Sequence, residues 1–247
     1  MFTSKRITTM GGDKFRDDRS LAFDGSDDYV RMSSDVFTDA TTYTVGCWIK
    51  YLAEDTYDWL FGTDATTKNF GLNRTSDHIF YREENGEYFS FGNNSNIPLN
   101  KWTHLVFTSN ASKIDCYING VLLGTITVDS TTEIGGSNTL DETKFIFRNF
   151  GAGYASGGTF NYHVNCNLSD VFAYDSYITA SQIKTLYNGR EPYNHKEGVA
   201  SGSLKGWWRM GDGTEQGSGT TIYDMSGEGK NGTMTNMAAD DFVGDIP

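Results

Sequence analysis

The sequence predicts an all-β protein: two antiparallel sheets packed as a sandwich, carrying one short helix. Three observations carry this expectation. Apolar residues recur at every second position in segment after segment, the pattern of strands with one face buried. Asn-Gly dipeptides sit between such segments, and Asn-Gly suits the positive φ angles of a tight hairpin turn. Only 37% of the 247 residues are apolar while 14% are aromatic, so the core must be built from rings, which suit a pleated surface better than a helix. A sandwich of this length is commonly one unit, and we expect a single domain over residues 20–236.

Residues 1–19 read as an arm, because GGDKFRDDR is too polar and glycine-rich to join a core. Tyr43, Val45, Cys47, Ile49 and Tyr51 then share one face of a strand. Leu105 and Phe107 oppose Trp102, His104, Val106 and Thr108 on the next clear strand, and Ile114, Cys116 and Ile118 line one face of its successor. Asn85-Gly86 and Asn119-Gly120 are expected to form two-residue hairpin turns, the second between alternating apolar residues on both sides. The glycine-rich stretch Gly151–Gly158 lacks the Gly-Lys-Ser/Thr of a phosphate-binding loop and is expected as a loop at one end of the sandwich.

The helix is expected over Thr179–Asn188. Thr179 and Gln182 have capping-box spacing, Ile183, Leu186 and Tyr187 form an apolar stripe, and Gly189 supplies the stop. Residues 191–203 read as a polar connector, residues 204–236 as strands that complete the sandwich, and residues 237–247 as an acidic tail.

Charge excludes one class of partner. The formal net charge is −12, which repels a polyanion, so nucleic acid is not expected as a ligand. The first residues lack the apolar stretch of a signal peptide, and no run of 18 apolar residues occurs, so neither export by that route nor membrane insertion is expected. Cys47, Cys116 and Cys166 are odd in number and widely spaced, as expected of buried apolar thiols made in a reducing cytoplasm.

The segments SLAFDGSDDYVRM from Ser20, YTVGCWIKY from Tyr43, WTHLVFTSNASKIDCYINGVLLGTI from Trp102 and NLSDVFAYDSYITASQIKTLYNG from Asn167 resemble the laminin G-like, concanavalin A-like lectin/glucanase family. The resemblance implies a jelly roll. The block GWWRMGDGTEQGSGTTIYDMSGEGKNGTMTN resembles the opening segment of that family displaced to the far end of the chain, as in a circular permutation. Chains with WWRMGDG and GTMTN so placed resemble proteins encoded by marine tailed phages. That likeness implies a virion accessory protein (capsid decoration, fibre or tail component) acting through contacts with other virion proteins or copies of itself. The alternative is a carbohydrate-binding module that recognises host surface polysaccharide.

The residues point away from catalysis. Glycosidases of this fold set paired carboxylates on one strand, whereas Glu83, Glu84 and Glu87 straddle the Asn85-Gly86 turn. His78, His104, His163 and His195 form no H-E-x-x-H motif, and His104 is expected to be packed and hydrogen-bonded. A non-enzyme is expected. Asp224, Ser226 and Glu228 have the spacing of a calcium loop, with Gly229 at its sharp turn but Thr235 where the bidentate Glu would stand. The resemblance implies a structural calcium on Asp224, helped by Asn231 and Asp170. For a glycan, stacking faces are expected from Trp59, Tyr81 and Tyr154, with Tyr57 and Tyr88 also in or beside candidate loops.

Overall fold

The computed structural model describes residues 17–53, 57–65, 67–73, 78–131, 133–155, 159–210 and 217–247. Residues 1–16, most of the expected arm, and the tip of the glycine-rich stretch lie outside them. Two antiparallel sheets face each other. The first runs in the order Val121–Thr127, Lys113–Ile118, Trp102–Asn110, Thr42–Tyr51, Asn165–Tyr174, Ser20–Asp24 and Phe242–Val243. Its eighth strand, Leu204–Trp208, pairs with the second half of Asn165–Tyr174. The other sheet has nine strands, in the order Gly217–Ser218, Thr221–Ile222, Gly232–Thr235, Tyr29–Met32, Asn149–Phe150, Asp58–Gly62, Asn69–Asn73, His78–Arg82 and Tyr88–Gly92.

The alternation assigns the faces. Tyr43, Val45, Cys47, Ile49 and Tyr51 point between the sheets with Leu105, Phe107, Ile114 and Cys116, and meet Phe61, Phe70, Ile79, Tyr81 and Phe89 from the opposite sheet. The stacked pair Phe70–Phe107, with centroids 4.3 Å apart, crosses that interface. All three cysteines are buried and free, and burial pushes each thiol well above its ordinary pKa, so none is a nucleophile. On the outer face of the eight-stranded sheet Val106, Phe172, Tyr174 and Trp207 form a second cluster, closed by Ile183 and Leu186 of the helix Ala180–Tyr187. The helix starts as its sequence requires: Gln182 Oε1 accepts the Thr179 N–H at 3.0 Å.

The two Asn-Gly turns differ. Asn119 (φ 51°) and Gly120 (φ 75°) are both left-handed, and Ile118 faces Val121 across the expected two-residue turn. In the other hairpin only Gly86 has positive φ. Glu83 donates its N–H to Glu87 O and Gly86 donates to Glu83 O, which closes a three-residue loop around a β-turn instead.

The displaced C-terminal block completes the same sandwich. Residues 165–168 pair with Ser20–Asp24 and residues 171–174 with Leu204–Trp208, both on one edge, so the two strands lie end to end along a single partner. Trp208 packs between the sheets and Trp207 faces outward. Residues 237–247 are more than an acidic tail: Phe242 and Val243 pair with Leu21 and Ser20, and Met237 and Phe242 enter the core. Asp245 accepts bonds from Lys50 (2.6 Å), Trp102 (3.1 Å) and Asn167 (3.0 Å). Those apolar side chains, at positions where the sequence looks acidic, make the segment a structural strap.

Where the two strands abut, a bulge between Ser169 and Phe172 leaves Asp170 with φ 52°. Its buried carboxylate accepts Trp207 Nε1 at 2.5 Å and meets His195 Nε2 at 3.2 Å, while His195 Nδ1 lies 2.6 Å from the Tyr174 hydroxyl. Burial opposes the Asp170 charge, but His195 and Trp207 hold its pKa below the ordinary value. Beside it, Arg209 Nε donates to Asp17 Oδ1 at 2.7 Å, bridging the far sides of the seam.

Candidate functional site

The outer face of the nine-stranded sheet carries an aromatic patch. On His78–Arg82 the period of two turns His78, Phe80 and Arg82 outward, and on Tyr88–Gly92 it turns Tyr88 and Ser90 outward. Trp59 lies on the same face opposite Gly71, whose missing side chain admits the Phe80 ring. Gly153, from the hairpin Gly153–Ala155/Thr159–Asn161, presses its backbone on the Trp59 indole, where a Cβ would collide with the ring. Residues 151–155 of the glycine-rich stretch therefore lie over the sheet face and not at one end of the sandwich.

Above this floor stand partly exposed rings. Tyr162, 41% exposed and held at φ 57°, stacks on Trp59 with centroids 5.0 Å apart. Tyr57 meets Tyr162 at 5.8 Å and Tyr88 at 6.0 Å, and Tyr88 meets Phe80 edge-on at 5.1 Å. The Arg82 guanidinium lies 5.4 Å over the Trp59 ring and 5.0 Å over Tyr88, cation–π geometry that fixes a positive charge within the patch. A second group continues it, with Phe160 stacked on Tyr29 at 4.1 Å and met edge-on by Tyr154 at 5.3 Å.

A family model described as the concanavalin A-like lectin/glucanases superfamily matches residues 24–184. The chain belongs to this family. No curated protein sequence matches it. Among solved structures, this concanavalin A-like domain is similar to a candidate carbohydrate-binding protein of Bacteroides ovatus, at 15% identity and a TM-score of 0.67, over 93% of this chain and 62% of that one. The domain thus spans under two thirds of that protein's length. It is also similar to a heptameric pentraxin of Limulus polyphemus, at 17% identity and a TM-score of 0.49, over 69% of this chain and 82% of that one.

The structure sorts the expected glycan residues of the concanavalin A-like domain. Trp59 is in the patch but 1% exposed, a floor and not a contact face. Tyr81 points into the core and bonds Lys144 O through its hydroxyl, so it is unavailable for stacking. Tyr154 is half-buried against Phe160. Tyr57 and Tyr88 lie within the patch, and its most exposed ring, Tyr162, was not singled out by the sequence reading.

The expected calcium ligands are committed elsewhere. Asp224 Oδ1 accepts the N–H groups of Trp207 (3.0 Å) and Ser226 (2.9 Å), and Oδ2 that of Lys230 (2.9 Å). Asn231 Oδ1 accepts the Asp224 N–H, and Asp170 serves His195 and Trp207. Acidic oxygens converge at the turn after Ser20–Asp24, where ligand atoms of Asp24, Asp27 and Asp28 lie within 4.8 Å of one another, although here too Asp24 Oδ1 accepts the Ser26 N–H (2.7 Å) and Asp28 Oδ2 the Asp24 N–H (2.9 Å). Three hard oxygen donors so placed can chelate a cation. Burial foremost, then the neighbouring carboxylates, pushes Asp28 up to about 6.

His104 is packed, as expected, against Trp48 and Phe172, but its Nδ1 has no hydrogen-bond partner among the described residues. Burial pulls its pKa down to about 3, so the ring is neutral. No helix among the described residues is long and apolar enough to cross a membrane.

Proposed function

We propose that this chain is a non-catalytic carbohydrate-binding domain whose ligand lies across the aromatic face of the nine-stranded sheet. The observation that carries the proposal is the cluster of Tyr57, Tyr88 and Tyr162 around Arg82, partly exposed over the closed floor of Trp59 and Phe80. Sugar C–H faces stack on such rings, and an Arg in their midst orients a hydroxyl or an acidic group. The likeness in fold to the Bacteroides ovatus protein supports sugar binding. In this reading, which the resemblance of the C-terminal block to tailed-phage proteins supports, the setting is a virion, the ligand is host surface polysaccharide, and other virion proteins hold the domain in place.

The absence of catalysis belongs to the same proposal. Glu83, Glu84 and Glu87, at the hairpin beside the patch, are all engaged: Glu83 with the N–H groups of Asp141 and Glu142, Glu84 with Lys68, and Glu87 with Asn138. Calcium, in this reading, is held by Asp24, Asp27 and Asp28. The test of sugar binding is titration of the domain with host capsular or lipopolysaccharide fragments. Tyr162→Ala and Tyr57→Ala should each weaken binding about tenfold, the worth of one aromatic contact, with no release of reducing ends. Unchanged affinity in both variants would refute the proposed face.

A further inference from the structure

On the opposite side of the molecule, Trp48, Pro98, Trp102, Thr103 and Asn119 line a cavity of about 470 Å³, with Lys101, Arg190 and Pro247 beside them. It opens on the outer face of the eight-stranded sheet and is remote in the fold from the aromatic patch of the other sheet. Its aromatic parts are fixed: Trp102 donates its indole N–H to Asp245, and Trp48 is wedged against His104 and Tyr187 with centroids 5.1 and 5.7 Å away. Asn119 spends its carbonyl oxygen on the His104 N–H, which leaves its amide N–H groups as donors.

Two cations meet at this cavity. Lys50, Lys68, Lys113, Arg148, Lys205 and Arg209 each lie 2.5–3.5 Å from a carboxylate oxygen, as acidic proteins allow. Lys101 and Arg190, both exposed, have no carboxylate partner among the described residues, and they share one cavity in a chain of net charge −12. Arg190 is moreover placed at a conformational expense. Asn188, Gly189 and Arg190 all have positive φ, at 47°, 68° and 85°, and the last is unusual for a long side chain. Its N–H bonds Tyr187 O and its Nε donates to the Tyr187 hydroxyl at 3.2 Å, so the guanidinium is anchored to the helix end.

We infer that this cavity is a second binding site, selective for a carboxylate-bearing pyranose. The ring packs against Trp102 and Pro98, the carboxylate lies between Lys101 and Arg190, and the Asn119 amide donates to a ring hydroxyl. The site's place in the fold is independent of the proposed aromatic face; only its ligand class rests on the carbohydrate reading. The experiment is calorimetric titration of the whole domain with oligogalacturonate, its carboxyl-reduced neutral counterpart and sialyllactose, followed also by tryptophan fluorescence. The wild type should bind at least one of the acidic sugars, and carboxyl reduction should weaken oligogalacturonate binding tenfold or more where that is the ligand. The double variant Lys101→Met/Arg190→Met should lose that binding by tenfold or more, while Tyr162→Ala retains it. Loss in Tyr162→Ala with retention in the double variant would overturn the second site and leave the first standing. Failure of the wild type to bind either acidic sugar would overturn it as well, whatever neutral sugars do at the aromatic face.

Discussion

Replacing Arg209 with Met should destabilise the domain by an amount that depends on pH. Arg209 and Asp17 close the seam between the abutting strands, with 13% of the Arg209 side chain exposed and none of Asp17's. Burial, reinforced by the charge of Asp170, pushes Asp17 up to about 7 against the pull of Arg209 and of Ser169. At about pH 8 the variant must either bury a carboxylate without its partner or protonate it, a loss of up to about 3–5 kcal/mol. At about pH 5.5 Asp17 carries a proton in the folded state, and an ordinary hydrogen bond worth about 1 kcal/mol disappears. The sign follows from linkage. A carboxyl whose folded pKa is raised stabilises fully below its unfolded value of 3.8 and loses that contribution as pH rises towards its folded value. Without Arg209 the folded value rises further, so the decline should continue beyond pH 7. Urea unfolding at the two pH values reads the difference, and adding Asp17→Asn should recover about 2 kcal/mol at the higher pH. Equal losses at both pH values, or no recovery, would refute the account of a buried ion pair.

Two further outcomes are expected. Trp208→Ala, which removes an indole packed edge-on to Phe147 at 5.7 Å and bonded to Lys230 O at 2.9 Å, should lower unfolding free energy by about 3–5 kcal/mol; a loss under about 1 kcal/mol would show that the C-terminal block is not part of this core. Saturating calcium should raise the melting temperature by roughly 5–10 °C. That gain should vanish in Asp28→Asn and fade below about pH 6, where Asp28 keeps its proton and ceases to be a ligand; a gain indifferent to Asp28→Asn would place the ion elsewhere.

The parts of the fold legible in the sequence are those fixed by local rules. The Asn119-Gly120 turn, the capped helix and the strand faces around Tyr43–Tyr51 follow from dihedral preference and periodicity. The split of Trp207 outward and Trp208 inward follows from the same alternation. Reading failed where periodicity is silent. His78–Arg82 has apolar side chains at Ile79, Phe80 and Tyr81, so its phase is ambiguous, and Tyr81 falls inward. His195 stands in a polar turn-rich stretch, yet it is fully buried because a partner 25 positions earlier, Asp170, is shaped by a bulge. The Asp224 loop has the composition of a calcium turn, but its oxygens close their own backbone, the commoner fate of such residues. Tyr162 draws no attention in sequence because a lone aromatic in a loop gives no pattern; only the close approach of Gly153 to Trp59 shows where it lies.

The seam also dictates when the molecule can finish folding. Asp17 and Arg209 are 192 positions apart, and the edge of Asn165–Tyr174 that receives Ser20–Asp24 on one half must wait for Leu204–Trp208 on the other. On a ribosome adding about 5–20 residues per second, the roughly 34 residues from Tyr174 to Trp208 take about 2–7 s to add, so the edge stays half-paired for that time. During that interval half of a central strand presents unpaired backbone groups and the apolar Val171 and Ala173 to solvent, the kind of edge that recruits other chains. Nascent chains arrested before residue 204 should therefore depend on chaperones in a way that the completed protein does not.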